Sequence, residues 1–188
     1  FIQSRRELYS FFRMKNSLVD IKKNWNNYIF TNGASFHIQN INKNKNILME
    51  YWSLQCPLNG RIERELLGVA NKTIKILDIG CGPFPKSGIY NKNYVVDRVL
   101  VDSLANEYHS FLVENSIDTH MQQIITCDIE EIEKIFERQT FDVIFSKNAL
   151  DHTYNPIKVI SSMINLLKKE GVIILEHYVK EGEYTNYY

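Results

Sequence analysis

The stretch Lys75-Ile-Leu-Asp-Ile-Gly-Cys-Gly-Pro-Phe-Pro85 constrains the fold of this chain more than any other. Ile74 to Ile79 is a short apolar run with one acid, Asp78, near its end. Such a run, closed by Gly80 and Gly82, reads as a buried parallel strand entering a tight turn. Neither glycine carries a Cβ, so the backbone here can approach a ligand closely. Asp78 is the oddity. A carboxylate at the end of a buried strand needs a partner, which a cationic ligand or the amides of the following turn can supply.

Downstream of this strand the pattern alternates between strand and helix, the mark of a parallel sheet. Val95 to Asp102 holds a second strand, centred on Arg98-Val-Leu-Val-Asp102, and Leu104, Tyr108, Phe111 and Leu112 then mark one helical face. Ile124 to Asp128 reads as a third strand, followed by a helix with Ile132, Ile135 and Phe136 inward. Phe141 to Phe145 is a fourth. The next helix has clear end signals: Asn155 as N-cap, Pro156 at the first position, Lys168 and Lys169 in the last turn, and Gly171 after it. Its expected core face is Ile160, Met163, Ile164 and Leu167. Val172 to Glu176 is the fifth strand.

Residues 1–70 form an N-terminal helical and irregular segment. Leu8, Phe11, Phe12 and Met14 suit one apolar face, and Leu18, Ile21 and Trp25 fall at helical spacing. Asn40 to Asn46 is polar and low in complexity, hence a loop. Arg61 to Leu67 reads as a helix ending near Gly68. For Trp25, Tyr28, Tyr51 and Trp52, core packing is favoured over a role in a lid. Residues 71–188 form the sheet-bearing domain.

The chain has 188 residues with 22 basic and 22 acidic side chains. Zero net charge argues against nucleic acid or a membrane surface as the main partner and leaves a small molecule. The three cysteines, Cys56, Cys81 and Cys127, show no paired spacing, which suits reduced buried thiols in a cytoplasmic protein. No apolar run is long enough to cross a bilayer.

Three readings compete for the turn at Gly80. It could be a plain strand and turn. A nicotinamide-type fingerprint would need a third glycine where Pro85 stands, and proline has no amide hydrogen to offer a pyrophosphate. The third reading is the D-x-G-x-G of class I S-adenosylmethionine-dependent methyltransferases, which Asp78-Ile-Gly-Cys-Gly82 resembles closely. That family often has a further glycine at the position of Phe84. The run Asn148-Ala-Leu-Asp-His152 also resembles the "LEH" segment of its small-molecule members, with Asp151 in place of the more usual Glu. The resemblance covers residues 74 to about 178 and implies an α/β, Rossmann-like sheet.

The resemblance also implies S-adenosyl-L-methionine as cofactor, with S-adenosyl-L-homocysteine as product. Ligands of an open parallel sheet lie outside the carboxyl ends of its strands. Asp78, Gly80, Cys81 and Gly82 would then line the cofactor. Asp102, with Ser103 after it, would accept the ribose hydroxyls, or else cap the following helix. Asp128 would accept from the adenine amino group with Ile129 against the ring, or else serve as an N-cap. Ser146, Lys147 and Asn148 would face the methionine part.

The reaction is an in-line displacement at an activated methyl group, so positioning carries most of the acceleration. Removing a proton from an acceptor hydroxyl or amine supplies more. His152 is the candidate base because its ordinary pKa lies near neutrality. Its alternative is a structural histidine holding the loop after the fourth strand. His177 is a second candidate base. Glu176, His177, Asp151 and His152 could in principle gather a metal, but no known ligand geometry supports one, and none is assigned.

The function so implied is methyl transfer to a small polar acceptor. Within the family the chain looks most like enzymes of capsule and surface-polysaccharide loci, which act on sugar hydroxyls or decorations such as a phosphoramidate. The other class of reading is a non-catalytic cofactor-binding subunit that supports a partner methyltransferase. The resembled fold has seven strands, the last two a hairpin beside the fifth. Residues 177–188 leave no room for two more, so the chain is expected to be a piece of a longer protein.

Overall fold

The computed structural model describes residues 37–39, 43–70 and 72–177. The apolar faces expected before residue 36, with Trp25 and Tyr28, fall outside them, as does the chain after His177. The elements are α1 (Lys45–Trp52), α2 (Gly60–Glu65), β1 (Thr73–Ile79), β2 (Val95–Asp102), α3 (Ala105–Glu114), β3 (Ile124–Thr126), a 3-10 helix (Ile129–Lys134), β4 (Phe141–Lys147), a 3-10 turn (Leu150–His152), α4 (Pro156–Leu166) and β5 (Leu167–Glu176). The five strands form one parallel sheet in the order β3-β2-β1-β4-β5. The order reverses between β1 and β4, and ligands of such sheets bind at that switch point.

Strand β1 is central and buried on both faces, which explains its unbroken apolar run. Its residues alternate between two cores. Ile74 and Ile76 join Val143, Phe145 and Ile174 under Leu58, Ile62 and Leu66 of the N-terminal segment. Leu77 and Ile79 join Val101, Ile144, Val159, Met163 and Leu166 on the opposite face. Helix α1 contributes Leu48 and Trp52, which pack with Leu100, Phe111, Leu112 and Cys81. Trp52 is a core residue, and its indole Nε1 donates to the Pro83 carbonyl at 3.0 Å. Tyr51, half-buried, meets Phe84 edge-on. Leu104, Tyr108, Phe111 and Leu112 are all buried as their spacing requires. All three cysteines are buried.

Several expectations fail for identifiable reasons. The polar run does not stay a loop to Asn46, because α1 begins at Lys45. The third strand stops at Thr126; Asp128 turns the chain by accepting from the Glu130 N–H. The chain then enters a 3-10 helix in which Ile132 is buried while Ile135 is exposed. Phe136 does pack inward, edge-on to Phe141. Helix α4 starts as expected, with Asn155 accepting from the Lys158 N–H and Pro156 in the first turn. It ends early, at Leu166.

The two lysines do not form its last turn. Instead the Lys168 ammonium bonds both oxygens of Asp142 on β4, at 2.9 and 2.8 Å. Gly171 is needed for close approach, since a Cβ there would sit 2.8 Å from the Asp142 carbonyl oxygen. The buried face of α4 is Val159, Ser162, Met163 and Leu166. Ile160 and Ile164 lie outward, in line with Ile157.

This rotation gives a test. Met163→Ala should lower unfolding free energy by about 2–4 kcal/mol in urea titrations, the cost of emptying a buried site. Ile164→Ser should stay within about 0.5 kcal/mol of wild type. Equal losses would return Ile164 to the core.

Candidate active site

The ends of β1, β2 and β4 converge on one short turn. Gly80 and Gly82 both take positive φ, +65° and +57°. Their open space is used differently. A Cβ on Gly80 would lie 2.2 Å from the Ala149 Cβ, so the turn is seated directly on the loop after β4. Among the described residues, a Cβ on Gly82 would meet nothing nearer than the His37 Cε1, at 3.9 Å. Of the two glycines, Gly82 therefore presents open backbone. The Gly80 and Cys81 amides both donate to the Val101 carbonyl, at 2.8 and 3.2 Å. Cys81 is buried, and that burial pushes its thiol well above the usual range, so it stays neutral. Phe84, at the position of the family's further glycine, packs against the α1 core.

Asp78 is sealed beneath this turn. Its carboxylate accepts from the Ser87 N–H at 3.2 Å, which pins the loop after the turn to β1. Burial raises its pKa to about 6, while Ser87 and the Arg98 charge pull the other way. The partner is thus a loop amide with a cation nearby. Asp102 ends β2 and is also buried. One of its oxygens accepts from the Gly82 N–H and the other from the Leu104 N–H, both at 2.9 Å. Burial raises its pKa, and those two bonds oppose the rise. The bond to Leu104 braces the start of α3; each oxygen retains a lone pair for a further donor. Ser103 comes next, half-buried.

Asp128 accepts from the Glu130 N–H at 3.4 Å as the N-cap of the 3-10 helix. Ile129, also buried, reaches the space beside Gly80. On the β4 side Ser146 is fully buried, and its hydroxyl has no partner among the described residues. Lys147 does not face the site as expected; its ammonium bonds Glu176 on β5 at 2.7 Å. Asn148 adopts φ +50°, a conformation Asn tolerates well, and donates its N–H to the Glu176 carbonyl at 2.8 Å. This turns the chain back across the strand ends and delivers Ala149 to Gly80.

His152 sits in the 3-10 turn with its side chain 55% exposed, 3.8 Å from Asp151. Its charge lowers the pKa of both Asp102 and His37. His177 lies 3.9 Å from the other oxygen of Asp151. Glu176 is committed to Lys147 and to Arg61, at 3.3 Å. Among the described residues no three His, Cys, Asp or Glu side chains are grouped to hold a metal.

Two residues here escape a reading of the sequence. His37 stacks edge-on to Tyr108 at 5.6 Å and borders Gly82. Burial first, then the His152 charge, lowers its pKa to about 4. No motif or spacing marks it. Glu130 is buried at the base of the Asp128 turn and accepts from the Tyr154 and Asn155 amides, at 2.7 and 3.3 Å. Its only signal is an acid two positions after the strand-end acid.

Comparison with known proteins gives the same direction. A family model described as a methyltransferase domain matches residues 117–186. The chain is 30% identical over 107 residues to the ubiquinone biosynthesis O-methyltransferase of Glaesserella parasuis, covering 54% of this chain and 44% of that protein. It is 24% identical over 128 residues to the tRNA U34 carboxymethyltransferase of Pseudoalteromonas atlantica, covering 65% of this chain and 37% of that protein. The chain therefore spans less than half the length of either relative. Among solved structures, the trans-methyltransferase CalH in complex with SAH superposes with a TM-score of 0.53 at 18% identity, covering 99% of this chain and 56% of that one. The fold is that of class I methyltransferases. No helix among the described residues is long and apolar enough to cross a membrane.

The seat of Gly80 on Ala149 predicts that Gly80→Ala costs roughly 2–4 kcal/mol, from the left-handed backbone and the overlap together. A denaturant midpoint unchanged from wild type would contradict the packing.

Proposed function

We propose that this chain binds S-adenosyl-L-methionine at the turn after β1 and transfers its methyl group to an oxygen of a small polar acceptor. The observation that carries the reading is the placement of Asp102. Its carboxylate holds the open Gly82 backbone at 2.9 Å and keeps lone pairs at the mouth of the switch point, where a ribose diol would bind. The Ser146 hydroxyl, unpartnered among the described residues, and the space those residues leave over Gly82 supply further polarity and room for such a ligand. Asp128 would accept from the adenine amino group, and Ile129 would lie against the ring. Asp78, sealed beneath, supports the turn. Residues 71–188 are assigned to the cofactor-binding domain and residues 1–70 to its cover. The described part of that cover, α1 and α2, packs on one face of the sheet.

Bound here, the cofactor supplies an activated methyl on a sulfonium. The chain's own task is then to hold the acceptor in line and take its proton. His152 is assigned the proton: it is accessible, on the loop after β4, and its charge reaches Asp102. The relatives named for O-methylation support a hydroxyl acceptor. They lend nothing to the sugar or capsule acceptor expected from the resemblance. A panel of phenolic and quinol hydroxyls, with nucleotide-linked sugars and amines beside them, tests the acceptor by mass-spectrometric detection of a methylated product. Cofactor binding without turnover on any of these would favour the supporting-subunit reading.

Asp102→Ala should weaken S-adenosylhomocysteine by about 1–3 kcal/mol in isothermal titration, from about fivefold to about 150-fold. Unaltered affinity in a folded variant sinks the ribose assignment. His152→Ala should lower turnover about a hundredfold while cofactor affinity stays within about twofold. Near-wild-type turnover would pass the role to His177 or to positioning alone.

A further inference from the structure

Glu176, the last residue of β5, ties together segments to which the reading above gives separate tasks, and the inference drawn from it rests on that reading. Its backbone carbonyl accepts from the Asn148 N–H at 2.8 Å. One carboxylate oxygen takes the Lys147 ammonium at 2.7 Å, and the other lies 3.3 Å from the Arg61 Nε. Only 13% of the side chain is exposed, so the carboxylate is held largely out of water between two cations. Lys147 stands opposite it in the register of β4 and β5. Arg61 comes from α2, in the segment assigned to the cover.

Both sides of this junction lead to the site. Asn148, at φ +50°, is where the chain turns back from β4 and delivers Ala149 to Gly80. The His152 N–H then donates to the Ala149 carbonyl at 3.1 Å, so the place of the imidazole is built on that turn. On the other side, Asn59 caps α2 by accepting from the Arg61 N–H at 2.9 Å. The Asn59 N–H donates to the Ser87 carbonyl at 2.8 Å, and the Ser87 N–H to Asp78 at 3.2 Å. The contacts close a ring that leaves β1 at Asp78, passes through α2 and the end of β5, and returns at Gly80. Among the described strands β5 pairs with β4 alone, and the end of an edge strand opens readily unless something holds it.

We propose that Glu176 is a positioning residue: its carboxylate, shared by Lys147 and Arg61, clamps α2 to the ends of β4 and β5 and thereby fixes the loop that carries His152. Without that charge the two cations would be left with nothing between them, and the loop would lose its tie to α2. Asp102 lies on β2, on the opposite side of β1 from β4, and its bonds to Gly82 and Leu104 stand outside the clamp. Loss of the clamp therefore acts on the base and spares the ribose seat.

The test is Glu176→Gln in the full chain, which keeps the size and removes the charge. A group displaced by about 1 Å can cost about a hundredfold in rate, so kcat on the best hydroxyl of the acceptor panel should fall about tenfold or more. S-adenosylhomocysteine affinity should stay within about twofold by isothermal titration. The amides of Asn148, His152 and Thr153, all hydrogen-bonded here, should exchange with deuterium about tenfold faster. Glu176→Asp, which keeps the charge, should recover much of the rate. The Arg61 side chain is 59% exposed, and such pairs add little to stability, so Arg61→Gln should fold normally and show the same split. It carries the test if Glu176→Gln does not fold. Wild-type kcat in either folded variant overturns the proposal. So does a loss of S-adenosylhomocysteine affinity as large as the loss of kcat, the result of a merely structural role. A wild-type chain that binds no S-adenosylhomocysteine would instead sink the cofactor reading, and this assignment with it.

Discussion

The bridge made by Asp102 is the interaction on which the site depends. One carboxylate, at the end of β2, takes the Gly82 amide with one oxygen and the Leu104 amide with the other. These are charge-assisted bonds to backbone, the stronger kind, and they fix main chain rather than mobile side chains. The first joins the turn after β1 to β2; the second sets where α3 begins. The contact of Gly80 with Ala149 then brings in the loop after β4 without any polar group at all. Three loops from three strands are thereby held in one place. A glycine, a carboxylate and an alanine suffice because each contact is between atoms with little freedom to lose.

Three buried acids meet the same difficulty in three ways. Removing a carboxylate from water costs several kcal/mol, and a hydrogen bond to a charged group returns about 1.5–3. Asp102 has two amide donors, which oppose the rise that burial imposes on its pKa. Asp78 has the Ser87 amide and the Arg98 charge close by, and its pKa settles at about 6. Glu130 has two amides but sits beside Asp128, a second acid, and its pKa rises to about 7. In all three burial drives the rise, and the donors each acid finds oppose it.

The sheet was legible because its strands are buried on both faces and so write continuous apolar runs between glycines. Asp78, Gly80, Gly82 and Asp102 were legible for the same reason: they are the polar and glycine exceptions to such runs. The face of α4 was not. Its isoleucines at 157, 160 and 164 and its buried Val159, Met163 and Leu166 both satisfy helical spacing. Hydrophobic period alone cannot choose between two apolar stripes when Ser162 lies on the inner one. The end of α4 was hidden because lysines before a glycine signal a helix terminus, whereas here Lys168 is held by Asp142, 26 residues away in sequence. His37 left no trace either, since its surroundings of Tyr108, Gly82 and His152 come from three distant segments.

Those surroundings also separate the two imidazoles that border the site. A base must be neutral to accept a proton, yet basic enough to want it, so its best pKa lies near the working pH. His37, held near 4 by burial, is neutral but a poor acceptor. Its ring borders the space over Gly82. His152 is more than half exposed and has a carboxylate, Asp151, at 3.8 Å to accompany the charge it would gain. The two imidazoles also interact, since the His152 charge adds to burial in lowering the His37 pKa. Under the proposed reading, the exposed imidazole is therefore the one placed to take the acceptor's proton.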